Sequence, residues 1–310
     1  MQPPGCIVQL KNTVMNAGFK KYCCVAVLQV LVFAGNAQSL KRPPITGIAF
    51  VQLQVSNAGK AEAFYYALLG YKLLPAAGPG NHHNHSFFVR ISQRQQILLV
   101  DGLPPNQDER LMGIAFQTTD AETLRLYLQS KRVAVPLALT RREGMLSFTI
   151  HDPDQHTITF VQYSNNPNTG ATDNQPAAIS RRILHTGITI ANTQAANQFY
   201  GDVLGFAEIW RGGANDTTTS WINMRVPEGT DYIEYMLVNG PVGRQQLGSL
   251  HHIALMVPDM QQAVDVLSRR SQKTGYPLAA PRIGRNNKWQ LNLFDPDGTR
   301  IELMEPFTMR

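Results

Sequence analysis

His185, Glu234, His252 and Glu302 fall 49, 18 and 50 residues apart, so a histidine followed about fifty residues later by a glutamate occurs twice in succession. Two imidazoles and two carboxylates make a donor set of borderline hardness, suited to a divalent ion such as zinc, nickel, manganese or iron(II). A single strand histidine is more often packed or hydrogen-bonded than ligating. Here two carboxylates would share its cavity, and burying two like charges without a cation is costly. A divalent ion removes that cost, so the quartet together points to metal.

Strand alternation tests whether the four can meet. In 184–190 the even positions are mostly apolar (Leu184, Ile188, Ile190), and His185 falls among the odd ones. Ile253, Leu255 and Val257 share one face and His252 takes the other. Glu302 is flanked by Ile301 and Leu303, and Glu234 by Ile233 and Tyr235. Side chains of successive strand residues point to opposite faces, so all four candidates lie opposite the bulky apolar side chains. That face is expected to line a cavity, with His252 pointing in and His251 away.

The elements that must position them recur through the chain. Residues 45–55 read as a strand, 58–69 as an amphipathic helix, and strands follow beyond Gly70, at 87–91 and at 96–100. The order restarts with a strand at 112–118, a helix at 120–130 and strands at 146–150 and 157–163. Residues 164–178 are polar, with Pro and Gly and no periodicity, and read as a linker. The pattern then returns twice. One copy has a strand at 183–190, a helix at 193–204, and strands at 220–225 and 232–238. The other has strands at 251–257, 290–294 and 300–304 around a helix at 259–270. FYYALLGYKL (64–73) matches FYGDVLGFAE (199–208), and HDPDQHTITFVQ (151–162) matches FDPDGTRIELME (294–305). The chain thus reads as four strand–helix–strand–strand–strand modules in two pairs. Each pair should enclose a cavity on the face that its helices leave bare.

The first residues read differently. Lys20 and Lys21 precede an apolar run at 22–34 and a small-x-small site ending at Ala37, the pattern of a signal peptide, with Met15 an alternative start. The run is too short for a comfortable bilayer span, so no membrane association is expected after cleavage. All three cysteines precede residue 37, which excludes disulfides and thiol chemistry from the exported part. Loss of Lys11, Lys20 and Lys21 lowers the formal charge from +6 to +3, and no basic stripe suggests nucleic-acid binding. About 270 residues remain, enough for two modest domains.

LHTGITI (184–190), FYGDVLGF (199–206), IEYM (233–236), HHIALMV (251–257) and DPDGTRIELME (295–305) resemble the glyoxalase/bleomycin-resistance/extradiol-dioxygenase family, the vicinal oxygen chelate superfamily. The resemblance implies an α+β fold of tandem vicinal-oxygen-chelate domains, each of two paired βαβββ modules forming a cupped sheet. It divides the chain into a signal peptide at 1–37, a degenerate domain at 45–163, a linker at 164–180 and a metal-binding domain at 181–310. It also implies one divalent metal per chain, held by His185, Glu234, His252 and Glu302. The equivalent positions of the first half carry Phe50, Leu98, Gly113 and Thr159, which cannot replace these ligands. That half is expected to stabilise or wall the second, or to hold a separate ligand pocket. His82, His83 and His85 follow Gly78-Pro79-Gly80 and read as a surface loop.

A glutamate at 234 makes four potential protein ligands, the pattern closest to glyoxalase I. The resemblance therefore implies a lyase or isomerase that acts on a small substrate with neighbouring oxygens through a metal-stabilised enediolate. Glu302 or Glu234 would be the proton-carrying base. The apparent export and the absence of a glutathione-recognising set argue against glyoxalase I itself. Arg225, Trp221 and Trp289 are candidate substrate-pocket residues, with Trp210 as a further wall. An iron(II) extradiol-type dioxygenase and an exported binding protein without catalysis are the alternatives. The expected partner is a small molecule, the chain a periplasmic or secreted monomer or homodimer, and exchange of modules between subunits would build the same quartet.

Overall fold

The computed structural model describes residues 40–76, 86–142, 144–164 and 175–307. The residues expected to form a signal peptide (1–37), the histidines at 82–85 and residues 165–174 of the expected linker lie outside them. Leu40–Arg310 form one compact unit.

The first module comprises β1 (Ile45–Val55), α1 (Ala58–Glu62) running into a π-helical segment (Ala63–Leu68), β2 (Leu73–Pro75), β3 (Ser86–Arg90) and β4 (Gln96–Asp101). The second comprises β5 (Leu111–Thr118), α2 (Ala121–Ser130), β6 (Thr140–Arg142), β7 (Met145–His151) and β8 (Thr157–Tyr163). The third has β9 (Ile183–Ile190), α3 (Thr193–Ala196) running into a second π-helical segment (Asn197–Val203), β10 (Ala207–Gly212), β11 (Trp221–Arg225) and β12 (Tyr232–Leu237). After a short α4 (Arg244–Leu250), the fourth has β13 (Ile253–Met256), α5 (Met260–Thr274), β14 (Arg282–Ile283), β15 (Trp289–Phe294) and β16 (Arg300–Met304).

Each pair of modules joins edge to edge into one eight-stranded sheet rather than two facing ones. The orders are β2-β3-β4-β1-β5-β8-β7-β6 and β10-β11-β12-β9-β13-β16-β15-β14. First strands β1 and β5, and β9 and β13, pair antiparallel at the centre, and each pairs parallel with the last strand of its own module. This arrangement brings the ligand-bearing strands β12, β9, β13 and β16 side by side.

One face of each sheet packs on the helices. Ile188, Ile190, Ile233, Tyr235, Ile253, Leu255, Ile301 and Leu303 belong to a core continuous with that of the first half. The other face carries only small apolar clusters, Ala49, Ala115 and Val161 in the first sheet and Leu184, Tyr232 and Met304 in the second. Leu184 was expected on the helix-packed face with Ile188. A β-bulge corrects this: His185 pairs with Ala254 and Ile183 with Leu255, which skips Leu184 and turns it over. The first half repeats the irregularity around Ala49, between Ile48 and Phe50.

The helices expected at 58–69 and 193–204 are α-helical only in their first turns. Asn57 and Asn192 cap them, accepting from Lys60 and Ala195 backbone N–H groups. The chain then widens, with i to i+5 bonds from Leu69 to Phe64 and from Leu204 to Phe199, and each segment ends at a glycine of positive φ, Gly70 or Gly205. These segments hold the two halves together crosswise. Tyr65 donates to Asp295 (3.3 Å) in the second half's DPDG turn, and Tyr200 donates to Asp152 (2.8 Å) in the first half's DPDQ turn. The repeated tyrosine and aspartate of one half therefore satisfy those of the other. The last part of the linker is itself tied down: Gln175 accepts from Lys72 N–H and donates to the Arg90 carbonyl, and Tyr71 donates to the Ser180 carbonyl.

Asp152 also holds His156 (2.9 Å), whose ring meets that of His251 edge-on at 5.6 Å. Burial works against protonation of His156, but the hydrogen bond and charge of Asp152 outweigh it and raise its pKa above 6.5. A raised folded-state value contributes stability that is complete below the unfolded value and lost as pH rises through the folded one. The melting-temperature deficit of His156→Gln is accordingly expected to be largest below pH 6.5 and to narrow at alkaline pH. Melting curves of both proteins across pH check this, and a deficit that grows with pH contradicts it.

Candidate metal centre

His185 stands on β9, Glu234 on β12 and Glu302 on β16, while His252 immediately precedes β13. Parallel register sets Glu234 beside Gly187 and Glu302 beside Ala254, and antiparallel register sets Ala254 beside His185. Neighbouring residues in register share a face, so the four side chains converge on the bare face. His185, His252 and Glu302 are each 3% exposed or less, and Glu234 is half-buried.

The two Nε2 atoms stand 3.0 Å apart. Glu302 Oε2 lies 3.6 Å from His185 Nε2 and 3.5 Å from His252 Nε2, and Glu234 Oε2 lies 3.9 and 3.3 Å from the same atoms. Donors about 2.1 Å from a common ion stand roughly 3.0 Å apart at right angles and about 3.4 Å apart in a tetrahedron. The spacing is that of donors around one ion. His185, His252 and Glu302 form the tight group, one atom of each lying within 4.8 Å of the others, and Glu234 reaches it through the histidines.

Protonation states agree with ligation. Burial, then the charges of Arg300 and His185, push the His252 pKa well below its ordinary value, so its imidazole is neutral. Burial of Glu302 opposes ionisation, yet the hydrogen bond from His185 and the charge of Arg300 outweigh it and hold the carboxyl below its usual range. Neutral imidazole and ionised carboxylate are the forms that bind metals. His252 Nδ1 lies 2.9 Å from the Leu250 carbonyl and 2.7 Å from Arg300 Nη2. These contacts demand opposite tautomers. Donation from Nδ1 to Leu250 leaves Nε2 bare for an ion, whereas acceptance from Arg300 puts the proton on Nε2. The first is the form in which His252 would hold an ion. His185 stacks on Tyr232 with ring centroids 4.5 Å apart, and its Nδ1 is buried without a partner.

Two supports of His252 have no obvious signature in sequence. Gly187 is one. A Cβ there would fall 2.6 Å from the Leu250 carbonyl oxygen and closer still to Nδ1 and Cε1 of His252. The imidazole occupies the space that glycine leaves. The β4–β5 loop of the first half is the other. Glu109 Oε1 meets His251 Nδ1 at 2.8 Å, Arg110 donates to the Arg244 carbonyl (2.8 Å), and Arg244 donates to the Gln107 carbonyl. The first half thereby grips both ends of α4, the helix from which His252 emerges. His251, at the C-cap of α4, also meets Thr189 Oγ1 (2.9 Å).

In the first sheet the same registers align Phe50 with Ala115, Leu98 with Gln52, Gln52 with Gly113 and Ala115 with Thr159. Phe50, Leu98, Gly113 and Thr159 therefore occupy the four ligand places, with no ligating side chain among them. That sheet has a cavity of about 300 Å³ bordered by Arg94, Gln117, Gln162 and Tyr163. Burial raises the Tyr163 hydroxyl pKa to about 12.

The pocket residues separate. Trp221, Asn223 and Arg225 alternate with buried Ile222 and Met224, which places them on the ligand face, with Arg225 exposed and Trp210 in register with Asn223. Trp289 is a correction. It has the parity of Leu291 and Leu293 and packs on the helix-side core, so it cannot wall the metal-binding face.

Residues 182–303 match the family model described as Glyoxalase/Bleomycin resistance protein/Dioxygenase superfamily. No curated protein matches the chain. Similar solved structures include the 2,3-dioxygenase LapB from Pseudomonas sp. KL28, 14% identical, with 86% of this chain and 93% of that one covered and a TM-score of 0.66. An extradiol ring-cleaving dioxygenase from B. fuscum is 19% identical over 86% of this chain and 73% of its own, with a TM-score of 0.63. The homoprotocatechuate 2,3-dioxygenase of Brevibacterium fuscum, in complex with 3,4-dihydroxyphenylacetate, is 18% identical over 86% and 82%, also at 0.63. At these identities the likeness is one of fold.

Proposed function

With residues 182–303 belonging to the glyoxalase/bleomycin resistance protein/dioxygenase superfamily, in a chain of two tandem vicinal-oxygen-chelate sheets, we propose a divalent-metal enzyme that moves a proton on a small substrate with neighbouring oxygens, as a lyase or isomerase. The observation that carries this reading is the second carboxylate. Glu234 lies 3.3 Å from His252 Nε2 yet is half-buried and stands outside the tight group of His185, His252 and Glu302. Those three would hold the ion, Glu302 remaining ionised under its buried partners. A bound divalent ion supplies a Lewis acid for the substrate's neighbouring oxygens and for negative charge developing beside them. Glu234, the more accessible carboxylate, takes the proton from the adjacent carbon and returns it. The helix-packed core behind the site and Tyr232 against His185 keep the ligands' orientation.

His185, His252 and Glu302 also match the two-histidine, one-carboxylate set of iron(II) oxygenases, which is the specific support for a dioxygenase as second reading. Elemental analysis, deuterium wash-in to dihydroxyacetone and oxygen uptake on catechol separate the two. Zinc, nickel or manganese with deuterium exchange, reduced about 10²–10⁴-fold in Glu234→Gln while metal stays bound, is the expected result. Iron with oxygen consumption, unaffected by that substitution, selects the dioxygenase. Absence of stoichiometric metal removes both and leaves the binding-protein alternative. Export, a small-molecule partner and a monomeric or homodimeric state complete the proposal.

A further inference from the structure

We propose that Asn223 and Asn292 form a paired ligand-binding site, one amide on each side of the quartet, each accepting a hydrogen bond from a hydroxyl group of the bound molecule. The inference rests on the metal-enzyme reading and adds the substrate class to it.

Asn223 is in register with Glu234, and Asn292 with Glu302. Their strand neighbours Ile222, Met224, Leu291 and Leu293 belong to the core, so both amides project from the ligand face. The near-twofold repeat of histidine and glutamate thus extends to a third residue in each module. Asn223 is 4% exposed. The Oδ1 atoms of both asparagines are buried without a hydrogen-bond partner. A buried acceptor left unmet is costly, and here it happens at two equivalent places. The neighbouring glutamates cannot relieve it, because ionised carboxylates and amide oxygens both only accept. The missing partner is a donor from outside the chain.

The first half supplies the contrast. Phe88 stands in register with Leu98, and Thr149 with Thr159, where the second half has the asparagines beside its glutamates. Phe88 has nothing to satisfy, and Thr149 is already paired with Thr159 through their hydroxyls at 2.9 Å. Among the described residues the amide oxygens left unmet are these two and that of Asn197, which lies in the second π-helical segment; on the sheet faces they occur beside the metal donors and not at the equivalent places of the first half. Asn286 and Gln290 meet the Met304 thioether at 3.6 and 3.7 Å, adding neutral amides to the Asn292 side of the face. Such a lining suits a neutral molecule with hydroxyl groups beyond the two oxygens that would meet the ion.

Catechol and pyrogallol test this, since pyrogallol keeps a third hydroxyl when two oxygens chelate. Both are titrated anaerobically into the cobalt(II)-loaded chain by calorimetry, alongside Asn223→Leu and Asn292→Leu. Asn→Ser variants at the same positions serve if leucine disturbs folding. Pyrogallol should bind wild type about tenfold more tightly than catechol. That preference should weaken in the single variants and fall toward unity when both substitutions are combined, while cobalt stoichiometry and visible spectrum stay unchanged. Equal wild-type affinities, or a preference that survives both substitutions, would mean that the amides meet only water and overturn the proposal. Loss of cobalt from the asparagine variants would also overturn it, assigning the amides to holding the glutamates. Failure of wild type to bind cobalt would instead bring down the metal-enzyme reading itself.

Discussion

Substitution of His252 by alanine is expected to abolish stoichiometric divalent-metal binding, with affinity falling at least about 100-fold. The imidazole is buried, neutral and 3.0–3.5 Å from three other donor atoms, so its loss opens the centre of the set rather than its edge. A second readout is thermal. An ion bound at a hundredfold excess over its Kd stabilises the folded chain by about 2.7 kcal/mol, roughly 5–10 °C for a chain of this size. Chelator should therefore lower the melting temperature of wild type by several degrees and leave His252→Ala unmoved. The carboxylates give the reason for so large a shift, since Glu302 and Glu234 share one face and the ion relieves their repulsion. Equal chelator sensitivity in both proteins, with metal retained by the variant, would refute the centre.

Gly187→Ala is expected to cost metal affinity about 10–100-fold although residue 187 offers no ligand. In an ordinary extended strand this substitution stabilises slightly, by about 0.4–1 kcal/mol, because it restricts the unfolded chain. Here the added methyl overlaps the His252 ring and the Leu250 carbonyl that orients it. Either the imidazole swings from the set or the β9–β13 junction separates, at a cost of about 1–3 kcal/mol. Metal titration combined with denaturant unfolding checks both effects. A variant as stable as wild type that binds metal equally well would show that the close approach of ring and backbone is unimportant.

The quartet was legible because two regularities in the sequence reinforced each other. Histidine and glutamate recur at nearly equal spacing, and alternation put all four opposite Ile188, Ile253, Ile301 and Ile233, residues that do pack in the core. The repeated phrases FYYALLGY and FYGDVLGF, and HDPDQ and FDPDG, marked the modules. They did not disclose that Tyr65 serves Asp295 and Tyr200 serves Asp152, because partner choice between distant repeats leaves no local pattern. Apolar spacing is nearly the same in α- and π-helix over one or two turns, so the sequence does not separate the π-helical segments from ordinary helix. A bulge shifts parity by one residue, which hides the face of Leu184 from alternation, and the seven residues of α4 carry too little periodicity to mark a helix. For Trp289 residue type points to a substrate wall, whereas its strand parity, shared with Leu291 and Leu293, points to the core.

Alternation and recurrence by themselves determined the modules, their pairing into halves, the face on which the four donors stand and the half that carries them. Those are properties of residues close in the chain, where a period of two or a repeated phrase has direct geometric meaning. Tertiary structure decided the rest: edge-to-edge joining into single sheets, Gly187 yielding its space to His252, the grip of Glu109 and Arg110 on α4, and the unmet amides of Asn223 and Asn292 beside the glutamates. Each depends on the register between strands or the packing between halves. Such contacts are set by the free energy of the whole fold, and the segments that meet are tens to more than a hundred residues apart.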